Sequence, residues 1–267
     1  MSILYEEMRV PSSDGIHTLA GRVYRPEGRV RGLFHVVHGM TEHIARYDPL
    51  FRRMAEDGYF CFGYDHLGHG ATARDAGELG YIADRDGWRR LAQDVAVFAD
   101  AVERRYAALW AGEECPPYFL MGHSMGSFIA REFAAAYGNS LTAVVFMGTS
   151  AGISTTMWKA ERAYLNMLKK AKGARAKIPS LEKIATGPYN KKFKPNRTNY
   201  DWVTSKEEEV DRFVNDPLCG FPLTVQGYID LGTLLYAINT DRWYRRVPKD
   251  LPILLISGEN DPVGDMG

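Results

Sequence analysis

Short apolar runs alternate along the chain with segments whose apolar residues recur at helical spacing. Continuous apolar runs of four to six residues are typical of strands that are covered on both faces. Strands are predicted at residues 21–25, 32–37, 59–64, 118–121, 143–147 and 252–256. The pattern therefore predicts a sheet whose central strands are buried.

The segments between these runs have the periodicity of amphipathic helices. Apolar residues recur at three- and four-residue steps within residues 48–58, 88–106, 128–137 and 224–239. Strand–helix alternation of this kind predicts an α/β protein, with a mostly parallel, doubly wound sheet and helices on both faces.

The alternation stops between residues 151 and 222, where no clear buried strand is found. Residues 159–206 carry thirteen Lys or Arg against three Asp or Glu, whereas the rest of the chain has twenty against thirty. We interpret 151–222 as a lid inserted between two parts of one core, 1–150 and 223–267. Clustered cations near a lipid surface contribute about 1 kcal/mol each. The lid is therefore a candidate for peripheral contact with anionic lipid, and a solvated lid face is the alternative.

Composition narrows the class of protein. The formal net charge is zero, so the chain as a whole gives no argument for a nucleic-acid partner. Three widely spaced cysteines, Cys61, Cys115 and Cys219, form no disulfide framework and fit a reducing compartment. Residues 1–10 lack the apolar core of a signal peptide, and no apolar run approaches the roughly 20 residues needed to span a bilayer. A cytoplasmic location is expected, with peripheral membrane contact as an addition.

The strongest chemical signal is the G-x-S-x-G sequence at residues 122–126. It follows a predicted strand and precedes a predicted helix, which is the context of a nucleophile elbow. Small residues at Gly122 and Gly126 allow the backbone and the helix to approach closely. Ser124 is the expected nucleophile, and the backbone N–H of Met125 is an expected oxyanion donor. The alternative is a chance match in a glycine-bearing turn.

A second motif, HGMTEH at residues 38–43, follows the strand predicted at 32–37. A loop at this place can supply the second oxyanion donor, for which the Met40 N–H is the candidate, with Gly39 beside it. His38 is expected to hydrogen-bond within the loop and to shape it. No Asp, Glu, His or Cys cluster completes a ligand set around His38 and His43, so no metal site is expected.

Three aspartates are candidates for a catalytic acid. Asp261 follows the strand at 252–256, where the order serine, acid, histidine places the acid of this fold. Asp265 is the alternative. Asp65 lies in YDHLGHG, before the serine, and is more simply interpreted as a structural loop residue. For Asp261, the alternative to a catalytic acid is an aspartate in a solvated turn.

Together the segments HGMTEH, YDHLGHG, GHSMGS and SGENDPVG resemble the monoacylglycerol lipase and lysophospholipase branch of the α/β-hydrolases. The resemblance implies an α/β-hydrolase fold in which Ser124 is the nucleophile, Asp261 the acid, and Met40 and Met125 form the oxyanion hole. It implies cleavage of a monoacylglycerol, a lysophospholipid or a similar ester through an acyl-enzyme, without a cofactor.

Two other functions are compatible with the sequence. The same elbow could serve a serine aminopeptidase, and a binding protein could have kept the pocket without the chemistry. An apolar tunnel under the lid would favour lipid, whereas an acidic pocket would favour an α-amino group. The apolar stripe in the lid is a candidate acyl slot or simple lid packing; its members are Trp158, Tyr164, Leu165, Met167 and Leu168.

The sequence departs from the family pattern in its histidines. The family's base follows the acid by a few tens of residues, whereas all seven histidines here precede Asp261 and the sequence ends at Gly267. We interpret the chain as the larger part of a longer protein, with a natural fragment or recruitment of an upstream histidine as alternatives. His123 adjoins Ser124, but its side chain is expected to point away from the groove. The 267 residues alone are therefore expected to be impaired as an enzyme.

Overall fold

Seven strands form one sheet in the computed structural model, which describes residues 3–110 and 115–264. They are β1 (Ile3–Pro11), β2 (Thr18–Pro26), β3 (Gly32–Val37), β4 (Tyr59–Tyr64), β5 (Tyr118–His123), β6 (Ala143–Met147) and β7 (Ile253–Ile256). The strand order is β1-β2-β4-β3-β5-β6-β7. β2 pairs antiparallel with β1 and β4, and every pair from β4 to β7 is parallel. The predicted mostly parallel sheet is confirmed.

β1 is the one strand that the apolar pattern did not predict. It carries Glu6, Glu7 and Arg9, and it lies at the edge of the sheet, where it pairs with β2 along its whole length. An antiparallel edge strand has one side open to water, so its residues alternate and no continuous apolar run forms.

Helices cover both faces of the sheet. They are α1 (Asp48–Glu56), α2 (Gly87–Tyr106), α3 (Met125–Tyr137), α4 (Thr155–Lys172), α5 (Pro179–Ala185), α6 (Glu207–Asn215), α7 (Val225–Ala237) and α8 (Asp241–Arg246). Adjacent residues of β3 point to opposite faces: Val36 packs in a cluster with Phe51 of α1, and Val37 in a cluster with Phe98 of α2 and Ile129 of α3. Burial of each such side chain stabilises the fold by about 1.5–3 kcal/mol.

Residues 151–222 contribute no strand to the sheet within the described part of the chain, and they contain α4, α5 and α6. α4 packs on α7, where the Trp158 ring lies so close to Gly232 that a Cβ atom there would be 2.2 Å from it. The boundaries at 151 and 222 stay a prediction.

The described helices include none with both the length and the apolar composition required to cross a bilayer. Cys61, Cys115 and Cys219 are free thiols.

Candidate active site

Ser124 lies in a sharp turn between the end of β5 and the start of α3. Its backbone has φ 51° and ψ −122°, a conformation that non-glycine residues rarely adopt. The Ser124 N–H donates to Met147 O at the end of β6 (2.9 Å), and the Ser127 N–H donates to Ser124 O (2.8 Å). The neighbouring strand and the first helical turn therefore hold a strained residue in place, as is common at functional sites.

The two glycines of the turn leave no room for a side chain. A Cβ atom on Gly122 would lie 2.3 Å from Gly126 O, and one on Gly126 would lie 2.0 Å from Val37 O. The tight packing of β3, β5 and α3 around Ser124 thus requires glycine at both positions.

The loop after β3 is built around the buried carboxylate of Glu42. Its Oε1 accepts the Gly39 N–H (2.6 Å) and the Tyr47 hydroxyl (2.8 Å), and its Oε2 pairs with the Arg46 guanidinium. A Cβ atom on Gly39 would lie 3.3 Å from Ser124 Cβ, so the loop passes directly beside the serine.

Glu42 remains ionised although it is buried. Burial acts to raise the pKa of its carboxyl, but the hydrogen bond to His123 and the charge of Arg46 outweigh it and hold the pKa well below its usual range. Thr41, at φ 52°, bends the loop between Met40 and Glu42.

His38 shapes this loop, as predicted. Its Nδ1–H donates to Gly39 O (2.8 Å), its Nε2 accepts the His66 N–H (3.1 Å), and the His66 ring donates in turn to His38 O (3.1 Å). Complete burial lowers the pKa of both histidines, so both rings are neutral at neutral pH. Asp65 is also structural, because its two carboxylate oxygens accept the N–H groups of Ile44 and Ala71.

The N–H groups of Met40 and Met125 are free to bind an anion. Within residues 3–110 and 115–264, neither donates to a protein acceptor. Met125 is the first residue of α3, where N–H groups lack intrahelical partners and the helix dipole favours negative charge. Met40 lines the same cavity as Ser124.

Asp261 lies in the turn after β7 and lines this cavity too. Its Oδ1 accepts the Val263 N–H (2.9 Å), and its own N–H donates to Gly258 O (3.0 Å). Oδ2 lies 3.2 Å from the position a Cβ atom would take on Gly148, and Gly148 has φ 58°, a conformation that favours glycine. Asp265 lies outside the described residues.

His123 does not point away from the groove, and that expectation is wrong: its side chain lines the cavity together with Ser124. Tyr47 donates its hydroxyl hydrogen to Glu42, so the His123 Nδ1–H donates to Tyr47 (2.7 Å). All seven histidines fall within the described residues, and none of them is hydrogen-bonded to Ser124 or Asp261.

The cavity over Ser124 has a volume of about 490 Å³. Residues of the segment 151–222, the adjoining Leu223, and Tyr228 of α7 form much of its wall. They are mainly aromatic or aliphatic: Phe193, Tyr200, Trp202, Val203, Phe213, Phe221, Leu223 and Tyr228. Sequence patterns missed most of them because they lie in irregular segments, where the only signal was local aromatic enrichment.

The apolar stripe proposed as an acyl slot does not line the cavity. Trp158, Leu165 and Leu168 pack in a cluster against α7, which is the lid-packing alternative, whereas Tyr164 and Met167 are exposed. One helix presents two apolar faces, so its sequence pattern alone did not reveal which face meets the substrate.

Two acidic residues of the cavity wall have partners within residues 182–201. Glu182 accepts the Tyr200 hydroxyl (2.9 Å), and Asp201 accepts the N–H groups of Arg197 and Thr198. Carboxylates engaged in this way contribute less to the recognition of a ligand amine than free ones would.

Comparisons of sequence and of structure relate the chain to known hydrolases. A family model described as serine aminopeptidase S33 (Hydrolase_4) matches residues 28–267. The chain is 28% identical to monoglyceride lipase of Homo sapiens over 99% of this chain and 76% of that protein, and 25% identical to phospholipase YtpA of Bacillus subtilis over 86% and 76%. The structure of a thermostable carboxyl esterase from Bacillus coagulans, in complex with glycerol, superposes with a TM-score of 0.87 at 29% identity, covering 100% of this chain and 83% of that one.

The matched region contains the elbow at Ser124, the loop at Met40 and the turn at Asp261. The chain therefore belongs to the serine aminopeptidase S33 family of α/β-hydrolases, in its monoacylglycerol lipase and lysophospholipase branch.

Proposed function

We propose that this protein hydrolyses carboxylic esters of single-chain lipids, such as a monoacylglycerol or a lysophospholipid, with Ser124 as the nucleophile. The observation that carries the proposal is the strained Ser124 at the floor of a largely apolar cavity, beside two unpaired backbone N–H groups. A strained residue is retained where geometry serves function.

In the proposed reaction, Ser124 Oγ attacks the ester carbonyl and its proton passes to a general base. The carbonyl oxygen becomes an oxyanion that accepts the N–H groups of Met40 and Met125, each donor contributing about 10²–10³ in rate. Collapse of the tetrahedral intermediate expels the alcohol, which takes the proton from the base. Water then attacks the carbonyl of the acyl-enzyme while the general base takes a proton from it. The base returns this proton to Ser124 Oγ as the carboxylic acid is released.

Asp261 is the proposed acid that orients the base. In this mechanism the base is a histidine hydrogen-bonded to the acid, and none of the seven histidines in the chain is placed so. The role of general base is therefore assigned to none of these seven histidines.

A lipid substrate is supported by the aromatic and aliphatic wall of the cavity. Apolar wall residues bind an acyl chain by removing it from water, at about 25 cal/mol for each Å² buried. The relatives named monoglyceride lipase and phospholipase support the same substrate class.

The description of the family model as serine aminopeptidase names the competing function. Purified protein should be assayed against monoacylglycerols, lysophospholipids and amino-acid p-nitroanilides, with Ser124→Ala as the blank. We expect kcat/KM for at least one of the lipids to exceed that for every anilide by more than 100-fold. Comparable or faster release of nitroaniline would favour the peptidase.

We further infer that α4 contacts an anionic lipid surface. Met157, Tyr164 and Met167 are 64%, 43% and 57% exposed, and their seven- and three-residue steps place them along one stripe of α4, next to the face that buries Trp158 and Leu165. The exposed Lys170 and Lys172 flank this stripe on its two sides. An apolar helix face bordered by lysines is typical of helices that lie in a membrane interface.

Co-sedimentation with phosphatidylglycerol vesicles and with neutral phosphatidylcholine vesicles tests this contact. We expect binding to the anionic vesicles alone, weakened by salt, and at least a tenfold loss in Met157→Ser/Met167→Ser. Equal binding to both vesicles, or unchanged binding of the variant, would contradict it.

A further inference from the structure

The strongest unassigned cluster of side chains combines a histidine, an aspartate and a cysteine. His43 Nε2 lies 2.8 Å from Asp216 Oδ2, and the ligand atoms of His43, Asp216 and Cys219 all lie within 4.8 Å of one another. His43 is separated from Asp216 by 173 positions, so sequence spacing gave no sign of this cluster.

We propose that His43, Asp216 and Cys219 form a zinc-binding site. Imidazole, carboxylate and thiolate are the three side-chain ligands that Zn²⁺ uses in proteins, and three such ligands with one water complete a tetrahedral site. When the metal binds, Cys219 gives up its thiol proton to solvent, and the resulting thiolate and the carboxylate together carry two negative charges, which the cation balances.

The present spacing is close to what zinc requires. Zinc bonds of about 2.0–2.3 Å at tetrahedral angles place ligand atoms about 3.4–3.7 Å apart. The 2.8 Å separation of His43 and Asp216 must widen slightly, and the cysteine must approach by about 1 Å at most. Cys219 is 8% exposed and His43 is only partly exposed, so water competes weakly for the ion.

Nearby charge does not block the site. Arg46 is the cation that interacts electrostatically with both Asp216 and Cys219. Its guanidinium is already ion-paired with the buried Glu42, and it lies over the Phe213 ring at 4.9 Å.

The site joins the loop at 38–43, which lines the cavity, to the turn after α6, which lies between the lining residues Phe213 and Phe221. His43 belongs to the loop that carries Glu42, whereas Asp216 and Cys219 belong to the turn after α6. The Gly220 N–H in this turn donates to Thr41 O (2.9 Å), so the backbones already meet. Bound zinc would replace the direct His43–Asp216 contact by a link through the ion between the segment 151–222 and the loop at 38–43.

Cobalt absorption tests the site directly, because Co²⁺ replaces Zn²⁺ and a thiolate ligand gives a charge-transfer band in the near ultraviolet. We expect one equivalent of Co²⁺ to give this band in the unmodified protein, and Zn²⁺ to remove it by competition. Cys115→Ser, which removes the exposed thiol, should keep the band, and Cys219→Ser should abolish it.

His43→Gln and Asp216→Asn should weaken cobalt binding by about 100-fold or more, since the loss of mere outer partners of metal ligands costs about 10–100-fold. Melting temperatures with EDTA show whether each variant is folded, and Zn²⁺ should raise the melting temperature of the unmodified protein but not of Cys219→Ser. Absence of the band, its persistence in Cys219→Ser, or an equal rise in both proteins would overturn the proposal. None of these measurements depends on ester hydrolysis.

Discussion

The Gly39 N–H donates a hydrogen bond of 2.6 Å to the buried Glu42 carboxylate. This contact fixes the His38–Gly39 peptide. The next peptide, which carries the Met40 N–H beside Ser124, is held by the bond that the His38 Nδ1–H donates to Gly39 O (2.8 Å). The same carboxylate pairs with Arg46 and accepts from Tyr47, which in turn holds His123. One buried charge thus organises the loop that the proposed reaction uses to stabilise the oxyanion.

Glu42→Gln should lower kcat for ester hydrolysis, and this loss should exceed any loss that general destabilisation of the fold would cause. The glutamine amide cannot balance the charge of Arg46, so the Met40 N–H should be displaced. The expected loss in kcat is about 10- to 100-fold. Complete removal of an oxyanion donor costs more, about 10²–10³ in kcat. KM should change by less than threefold. Steady-state kinetics on a soluble short-chain ester measures both.

Glu78→Gln is the matched control for this variant. Glu78 is also a buried glutamate that pairs with an arginine four positions away, Arg74, but it lies outside the cavity. Its replacement should leave kcat within about twofold. If both variants lose the same activity, the effect comes from general destabilisation and the role given to Glu42 is wrong.

Stability should fall as the pH is lowered from about 6.5 to 5. Burial lowers the pKa of His66 to about 3 and of His69 to about 4, and it also lowers the pKa of His38, from an ordinary value of 6.5. Below pH 6.5 the unfolded chain binds protons that the folded chain does not. The contribution of these histidines to the free energy of unfolding is therefore complete above pH 6.5 and declines below it. Each group adds a slope of up to about 1.4 kcal/mol per pH unit.

Urea unfolding at pH 7, 6 and 5 measures this slope. His69→Gln should reduce the slope by up to about 1.4 kcal/mol per pH unit, the contribution of one proton. An unchanged slope in the variant would show that His69 does not titrate in this way. The interval lies above the ordinary carboxyl pKa of 4.5, which keeps Glu42 out of the comparison.

Gly126→Ala should disrupt the elbow, because the added Cβ atom would lie 2.0 Å from Val37 O and the surroundings are backbone. We expect turnover to fall by more than 100-fold, with a lower melting temperature. Gly28→Ala is the control, since nothing lies within 4 Å of its Cβ position and its effect should stay within about 0.5 kcal/mol. A functional Gly126→Ala protein would mean that β3 and α3 are not packed as described.

Trp202→Ala should reduce the preference for long acyl chains. Trp202 lines the cavity, and the loss of apolar wall is worth about 1–3 kcal/mol for a chain that fills it. The ratio of kcat/KM for a long-chain to a short-chain ester should fall by about tenfold or more. Met167→Ala, on the exposed face of α4, should leave the ratio unchanged in a detergent-free assay; a fall there as well would place the acyl chain elsewhere.

Much of the sheet could be predicted from the sequence because its central strands are continuous apolar runs. β3, β4 and β6 have the predicted bounds. The elbow was predictable for a related reason: a glycine-flanked serine between a strand and a helix is a local pattern, and the strain at Ser124 follows from it.

Contacts between distant segments could not be predicted in this way. The cavity wall at Tyr200 and Trp202 lies in irregular backbone without a period, and α4 carries apolar residues on two faces. His43 finds Asp216 only after the chain has folded. In each case the missing information is three-dimensional: which face of an element is covered, and by what.

Covalent labelling of the protein at its full natural length tests the central claim most directly. A fluorophosphonate probe should form one adduct, and peptide mapping should place it on Ser124. Ser124→Ala should abolish labelling while the melting temperature stays within about 2 °C, which matches the small effect of a conservative substitution outside the core. Labelling that persists in Ser124→Ala, or an adduct that maps to another residue, would contradict the account.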